Sequence, residues 1–309
     1  MTDIVIIGAG TAGMTAAIYG QRAGKTTLMI EELSYGGQII NTPDIENYPG
    51  LMHVSGFDYS TKLYEQALEL GAKFMFAQAV SVEDKGSFKI VRTSEGDIEA
   101  KSVILATGAK NRTLGMVSAE LAGPESGLVG KGVSYCATCD GMFYRGKVTA
   151  IAGGGNTALD DALFLSNICS KVYVIHRRDE FRGSPVTAQK LAAKENVEFV
   201  LNSNVTGIIG EEKLTGVEVT NKLSGEKRII ETDGLFVAMG QVPDNSRYTN
   251  VVDIDDKGYI FAGETCTTKT PGIFAAGDCR TKEVRQLTTA ASDGAVAALA
   301  AAAYIESLN

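Results

Sequence analysis

Two stretches of the same design, each a short apolar run followed by a glycine-rich turn and a helix-like segment, predict an α/β fold. The expected architecture is two Rossmann-like dinucleotide-binding domains, the second inserted into the first. Three observations carry this. Residues 3–7 form a β-rich run that leads directly into Gly8-Ala9-Gly10-Thr11-Ala12-Gly13, which opens the helix-like stretch 14–23. The pattern returns at 148–152, Gly153-Gly154-Gly155-Asn156-Thr157-Ala158 and 159–166. Apolar strands ending in glycine turns then flank the second unit on both sides: 103–105 before Ala106-Thr107-Gly108-Ala109, and 235–237 before Ala238-Met239-Gly240-Gln241. The expected domains are 1–115 with 244–309, and the inserted 116–243.

The first turn has the G-x-G-x-x-G form in its required setting, strand before and helix after. Its glycines permit a tight turn and let the backbone approach a pyrophosphate, whose charge the helix N-terminus stabilises. The next strand, 26–30, ends in Glu31 and Glu32. An acidic residue at that place accepts hydrogen bonds from a ribose diol. The second turn has the related form G-x-G-x-x-A, and its following strand is 172–175. Gly8 to Glu31 spans 23 residues, and so does Gly153 to His176. Where the first unit places a carboxylate, the second places His176-Arg177-Arg178, with Arg182 just beyond. A carboxylate there repels a 2′-phosphate, whereas guanidinium groups bind one bidentately. The first unit is therefore expected to hold a nucleotide with a free ribose diol, and the second NADPH. A lone glycine motif arises by chance in a chain with 35 glycines, and an arginine pair is ordinarily a solvated surface feature. Two copies in matching context, with opposite charge at the discriminating position, carry the reading. After Pro243 another strand-like run ends in Gly277-Asp278, and an alanine-rich helix follows Gln286.

Composition bounds the function. The chain has 309 residues, 44% hydrophobic and 21% charged, as in a globular protein, and its length accommodates two domains. A net charge of −8 and a pI near 5.0 leave no basic footprint for nucleic acid. The uncharged stretch 294–305 is mostly alanine and far shorter than the roughly 20 apolar residues that span a bilayer, so no membrane segment is expected. Asp3 leads straight into the first apolar run with no basic region or cleavage site, which predicts a cytoplasmic location.

Five cysteines stand at 136, 139, 169, 266 and 279, and only Cys136 and Cys139 form a C-x-x-C. An odd count in such a chain argues against a structural disulfide framework. The pair can close a small disulfide ring in which one thiolate attacks and the other resolves. A structural zinc site needs about four ligands, and there is no second C-x-x-C, while His53 and His176 lie far off in sequence, so no metal is expected. A buried inert pair is the other reading; two nucleotide sites, which supply electrons, weigh against it. Asp140 directly follows Cys139 and is either a proton carrier for a departing thiolate or an exposed turn carboxylate. Cys169, Cys266 and Cys279 receive no role.

Taken together, the motifs resemble the low-molecular-weight thioredoxin reductases of bacteria. The residues that carry the resemblance are the first glycine turn, Gly36-Gly37-Gln38, Glu46-Asn47-Tyr48-Pro49-Gly50, Ala106-Thr107-Gly108, Cys136-Ala137-Thr138-Cys139-Asp140-Gly141, the second glycine turn, His176 to Arg182, and Gly277-Asp278. The resemblance covers the whole chain. It implies a homodimeric FAD enzyme that passes electrons from NADPH through flavin to the cysteine disulfide and then to thioredoxin or a thioredoxin-like protein. It further implies that Cys139 lies next to the flavin, that Cys136 attacks the partner disulfide, and that Asp140 is the acid–base. Gly37, Gln38, Asn47, Ala106, Thr107, Gly108, Gly277, Asp278, Arg285 and Gln286 join the cofactor set, with Asp278 on the flavin ribitol. Gln286, near a helix N-terminus, is placed at the pyrimidine end of the flavin, where a positive helix end stabilises the anionic reduced ring. The family also rotates its inserted domain during turnover. Relatives carry a Phe-Phe pair after the cysteines and an Arg before them, where this chain has Met142-Phe143 and Lys131. The stretch 114–118 lacks the Pro-Gly usual at the family's hinge. Three alternatives stand beside this reading. A ferredoxin/flavodoxin-NADP reductase has no need of the C-x-x-C, a ferredoxin-fed thioredoxin reductase has none of a 2′-phosphate clamp, and turnover separates an enzyme from a redox sensor.

Overall fold

The computed structural model describes residues 1–42, 44–114 and 126–308; residues 115–118 of the hinge stretch lie outside these. The chain divides into two compact units, Met1–Lys110 with Val242–Asn309, and Asn111–Gln241. The crossings lie a few residues earlier than the glycine-turn pattern places them. The reason for the first is local: the Arg112 amide donates to the Gly240 carbonyl at 2.9 Å and Leu114 packs on the core of the second unit.

The first unit opens with β1 (Thr2–Ile7), α1 (Thr11–Arg22), β2 (Thr27–Glu31), α2 (Gly56–Glu69) and β3 (Lys73–Phe76). A meander follows, of β4 (Ala79–Asp84), β5 (Lys89–Thr93) and β6 (Gly96–Leu105). The short β7 (Lys110–Asn111) leads into the second unit, made of β8 (Val133–Ser134), α3 (Ala137–Asp140), β9 (Val148–Gly153), α4 (Asn156–Ser166), β10 (Lys171–Ile175), α5 (Pro185–Ala192) and β11 (Val197–Val200). It continues through β12 (Ser203–Ile209), β13 (Gly216–Asn221), β14 (Lys227–Glu231), β15 (Gly234–Ala238) and the exit strand β16 (Gln241–Val242). The chain then completes the first unit with β17 (Ile273–Ala275) and α6 (Leu287–Glu306).

In the first unit the sheet order is β3-β2-β1-β6, all parallel, with β17 beside the C-terminal half of β6. The N-terminal half of β6 pairs antiparallel with β5, and β5 with β4. The β1 run is apolar without alternation because both faces are covered. Ile4 and Ile6 face a core shared with Met14, Ala16 and Ala17 of α1 and Ala297, Ala298 and Ala301 of α6. Val5 and Ile7 face the opposite core, with Val103, Leu105, Val252 and Ile260. Small residues bring α1 and α6 close together: a side chain at Gly294 would collide with the Ala12 carbonyl.

The second unit repeats the parallel design in the order β11-β10-β9-β15-β8. A separate antiparallel sheet, β12-β13-β14, packs Val205, Val217, Val219 and Ile230 into the core on one side. Neither this sheet nor the antiparallel β4-β5-β6 part of the first sheet is expected from the sequence. Their strands alternate buried and exposed residues over short runs and carry no glycine-turn landmark.

Candidate active site

The first glycine turn joins β1 to α1. Gly8 has φ of +107°, a conformation that only glycine adopts without strain, and a Cβ there would strike the Ala106 carbonyl. A Cβ at Gly13 would strike Gly8 itself, so α1 starts flush against the turn. The helix begins at Thr11 with Gly10 as N-cap and no side-chain cap, which leaves the first-turn amides of Thr11, Ala12 and Gly13 directed at whatever occupies the turn. The Gly36 amide donates to Ala9 O at 2.8 Å, which seats Gly36-Gly37-Gln38 on the turn, and Gln38 Nε2 donates to the Ala109 carbonyl. The two carboxylates at the end of β2 part company. Glu31 accepts from the Ala9 amide at 3.0 Å and faces the turn, while Glu32 is exposed and accepts from Gln78 Nε2 at 2.9 Å.

A second group converges on the start of α6. Thr107 Oγ1 donates to Asn245 Oδ1 at 2.9 Å, and Asn47 Nδ2 donates to Gln286 Oε1 at 3.2 Å. Gln286 is the N-cap of α6 in a capping box with Thr289. Arg285 lies over the Tyr259 ring at 4.0 Å and reaches the Asp278 carbonyl. Asp278 Oδ1 is buried and accepts no hydrogen bond among the described residues. Burial pushes its carboxyl up from the usual carboxylate range, against the pull of Lys282 and Arg285. A buried acceptor of this kind has the capacity to take a donor from a ligand or a water.

The Gly277-Asp278 turn is held by residues that sequence reasoning missed. Asp293, on α6, accepts from Arg280 Nη2 at 2.7 Å and Nε at 2.8 Å, from Lys282 Nζ at 2.9 Å, and from the Gly277 amide at 2.9 Å. Burial alone would raise the Asp293 carboxyl; the two cations outweigh it and hold it below the usual range. The available signal was a lone carboxylate on the small-residue face of an alanine-rich helix.

The second turn joins β9 to α4. Its helix also lacks a side-chain cap and an acidic residue in the first turn. The segment after β10 folds back on the turn: the Arg182 and Gly183 amides donate to Gly154 O at 2.8 and 3.2 Å, and the Ser184 amide donates to Asn156 Oδ1 at 2.8 Å. This seats the backbone of Arg182 on the turn, and Arg177, Arg178 and Arg182 are all exposed. His176 differs from its neighbours. It is buried, it fills the space a Gly154 side chain would need, and it stacks on Phe181 with centroids 5.4 Å apart. Burial, with the Arg182, Arg177 and Arg178 charges, pushes its imidazole pKa down, so at neutral pH it is an uncharged support of the turn.

The cysteine segment follows β8. Cys136 and Cys139 form a disulfide with Cα atoms 5.3 Å apart, and Asp140 ends the single turn of α3. Ser134 Oγ donates to Asp140 Oδ2 at 2.6 Å, and the Cys136 amide donates to Ser134 Oγ at 3.0 Å. Met142 and Phe143 next door are exposed large apolar side chains, and Lys131 is exposed. Cys169, Cys266 and Cys279 are free and buried, and burial pushes their thiols up, to about 12 for Cys266 and about 11 for Cys279.

Residues 2–294 match the family model described as pyridine nucleotide-disulphide oxidoreductase. The chain is 41% identical over 308 residues to a thioredoxin reductase of Listeria monocytogenes, with 99% of this chain and 95% of that one covered. It is 39% identical to a thioredoxin reductase of Bacillus subtilis, with 99% and 96% covered. Its fold is similar to the crystal structure of thioredoxin reductase from Streptococcus pyogenes, with a TM-score of 0.92, 39% identity and 99% of each chain covered.

Proposed function

The chain belongs to the pyridine nucleotide-disulphide oxidoreductase family, as one of its thioredoxin reductases, and from that premise we propose how its residues share the work. The first unit holds FAD. The Gly8, Gly10, Thr11, Ala12 and Gly13 backbone cradles the pyrophosphate, Glu31 takes the ribose diol, and Asp278 gives its orphaned oxygen to a ribitol hydroxyl. Gly37, Gln38, Asn47, Ala106, Thr107, Gly108, Gly277, Arg285 and Gln286 frame the rest, while Glu32 turns away from the turn. The second unit holds NADPH, with Gly153, Gly155, Asn156, Thr157 and Ala158 at the pyrophosphate and Arg177, Arg178 and Arg182 on the 2′-phosphate, His176 supporting the turn from beneath. Bound in the first unit, FAD would supply two-electron transfer between NADPH and a disulfide.

The protein's own chemistry is thiol–disulfide exchange. The Cys136 thiol gives up its proton as its sulfur attacks a disulfide of thioredoxin or a thioredoxin-like protein, a mixed disulfide forms, and the first partner sulfur leaves. Cys139 then attacks the Cys136 sulfur, re-forms the internal pair and frees the partner as a dithiol. Asp140 carries the proton between the attacking and leaving sulfurs. Met142 and Phe143 offer the partner an apolar contact, Lys131 supplies a point charge in place of a forked guanidinium, and the working form is a cytoplasmic homodimer. No helix among the described residues is long and apolar enough to cross a membrane.

The observation that carries this reading is the Cys136–Cys139 disulfide with Asp140 at its end, in the same unit as an arginine-flanked glycine turn. Anaerobic titration followed by flavin absorbance tests it. Near-stoichiometric NADPH bleaches the flavin and NADH does so far less, while C136S and C139S retain flavin and lose thioredoxin reduction. Turnover retained in either variant removes the exchange mechanism; flavin that neither nucleotide reduces reassigns the second turn and points to ferredoxin as donor.

A further inference from the structure

The hydroxyl of Ser134 stands between the redox segment and the strand that anchors it. Ser134 is the last residue of β8, is 3% exposed, and is fixed in the second sheet by its register with Phe236 of β15. Its single proton has two acceptors in reach, Asp140 Oδ2 at 2.6 Å and the Cys136 carbonyl at 3.3 Å. The shorter, charge-assisted contact takes it. The same oxygen accepts the Cys136 amide at 3.0 Å. One buried hydroxyl therefore ties the carboxylate that follows Cys139 to the main chain of Cys136.

We propose that Ser134 is the positioning residue of the disulfide centre, holding the Asp140 carboxylate in one orientation and in the ionised state that lets it accept a proton. This rests on the reading of Asp140 as the proton carrier. In that step the Cys136 thiol gives its proton to the Asp140 carboxylate as its sulfur bonds to a partner sulfur. The partner S–S bond breaks, its electron pair stays on the departing sulfur, and that sulfur takes the proton back from Asp140. A donated hydrogen bond favours the charged carboxylate, so loss of the Ser134 hydroxyl makes Asp140 a weaker acid and frees its rotamer. Among the described residues, Tyr144 on the next turn interacts with Asp140: its hydroxyl pKa is pushed up to about 12 by burial and by the Asp140 and Asp233 charges, and helix α4, packed against α3, carries Asp160 and Asp161.

The test compares the wild type, S134A, S134T and D140N as holoenzymes. Two readouts are followed against pH: kcat/KM for thioredoxin reduction, and the rate at which iodoacetamide alkylates the cysteines after reduction with dithiothreitol, which requires no turnover. Melting temperatures of the four proteins separate loss of fold from loss of position. The expected result is that the inflection abolished by D140N moves upward by about one pH unit in S134A in both readouts, and that S134T, which keeps the hydroxyl, restores it. If S134A keeps the wild-type inflection while D140N loses it, Ser134 has no positioning role and the reading of Asp140 stands. If D140N itself retains the inflection, Asp140 is not the proton carrier and the proposal falls with it.

Discussion

Charge at one position separates the two nucleotide turns. At the end of β2 the Glu31 carboxylate accepts the Ala9 amide, which points its oxygens at the first turn. Just past the corresponding end of β10 stand Arg177 and Arg178, both exposed, with Arg182 brought back by the bond from its amide to Gly154. Guanidinium groups gain from a phosphate what a ribose diol cannot give. Replacing Arg177 and Arg178 together by Ala is expected to raise the KM for NADPH roughly tenfold to a hundredfold, a loss of about 1.5–3 kcal/mol in all, and to leave NADH nearly unchanged. Steady-state kinetics with both nucleotides decide it, and an equal effect on the two would remove the phosphate clamp. His176 differs from the arginines of the same run in that its ring is buried against Gly154 and stacked on Phe181.

Helix α6, rich in alanine, carries one buried charge, at Asp293. Asp293 compensates two buried cations and holds the Gly277 amide, so the helix both closes the core and fixes the turn that presents Asp278. Removing one member of such a group strands the others, at about 3–5 kcal/mol. The D293N variant is therefore expected to lose about that much stability at neutral pH, read from urea unfolding. The pH dependence has a definite sign. The folded carboxyl lies below its unfolded value of 3.8, so its contribution is complete above that value and is lost as pH falls through the depressed folded pKa. The wild type should lose stability across that acid window more steeply than D293N. Parallel slopes would show that Asp293 is not the group responsible.

Each unit has its own cores, so a ligand of one turn should leave its mark in that unit. The fragment 2′,5′-ADP carries the discriminating phosphate without the nicotinamide. Hydrogen–deuterium exchange is expected to show it protecting amides of 153–158 and 176–184 while those of 8–13 keep their rates. Protection at 8–13 instead would reverse the assignment of the two turns. The homodimer predicts a light-scattering mass of twice 32.6 kDa, and a mass of one chain would exclude it.

The α/β class, the two glycine turns, the cysteine pair and the family resemblance were legible without coordinates. Each is written in contiguous residues, where a strand, a tight turn and a helix start impose their own residue types over a short span. The tertiary structure decided what depends on partners far apart in the chain. It set Glu31 on the Ala9 amide and Glu32 on Gln78, buried His176 beneath Gly154, added the β4-β5 meander and the β12-β13-β14 sheet, and set Arg280 and Lys282 on Asp293. It also joined Ser134 to Asp140, six residues on, through a hydroxyl whose sequence context announces nothing. Backbone conformation is chosen largely by near neighbours, so it can be read from spacing. Which side chain satisfies a buried carboxylate is settled only when packing brings the groups within hydrogen-bond distance and shuts out the water that would otherwise serve.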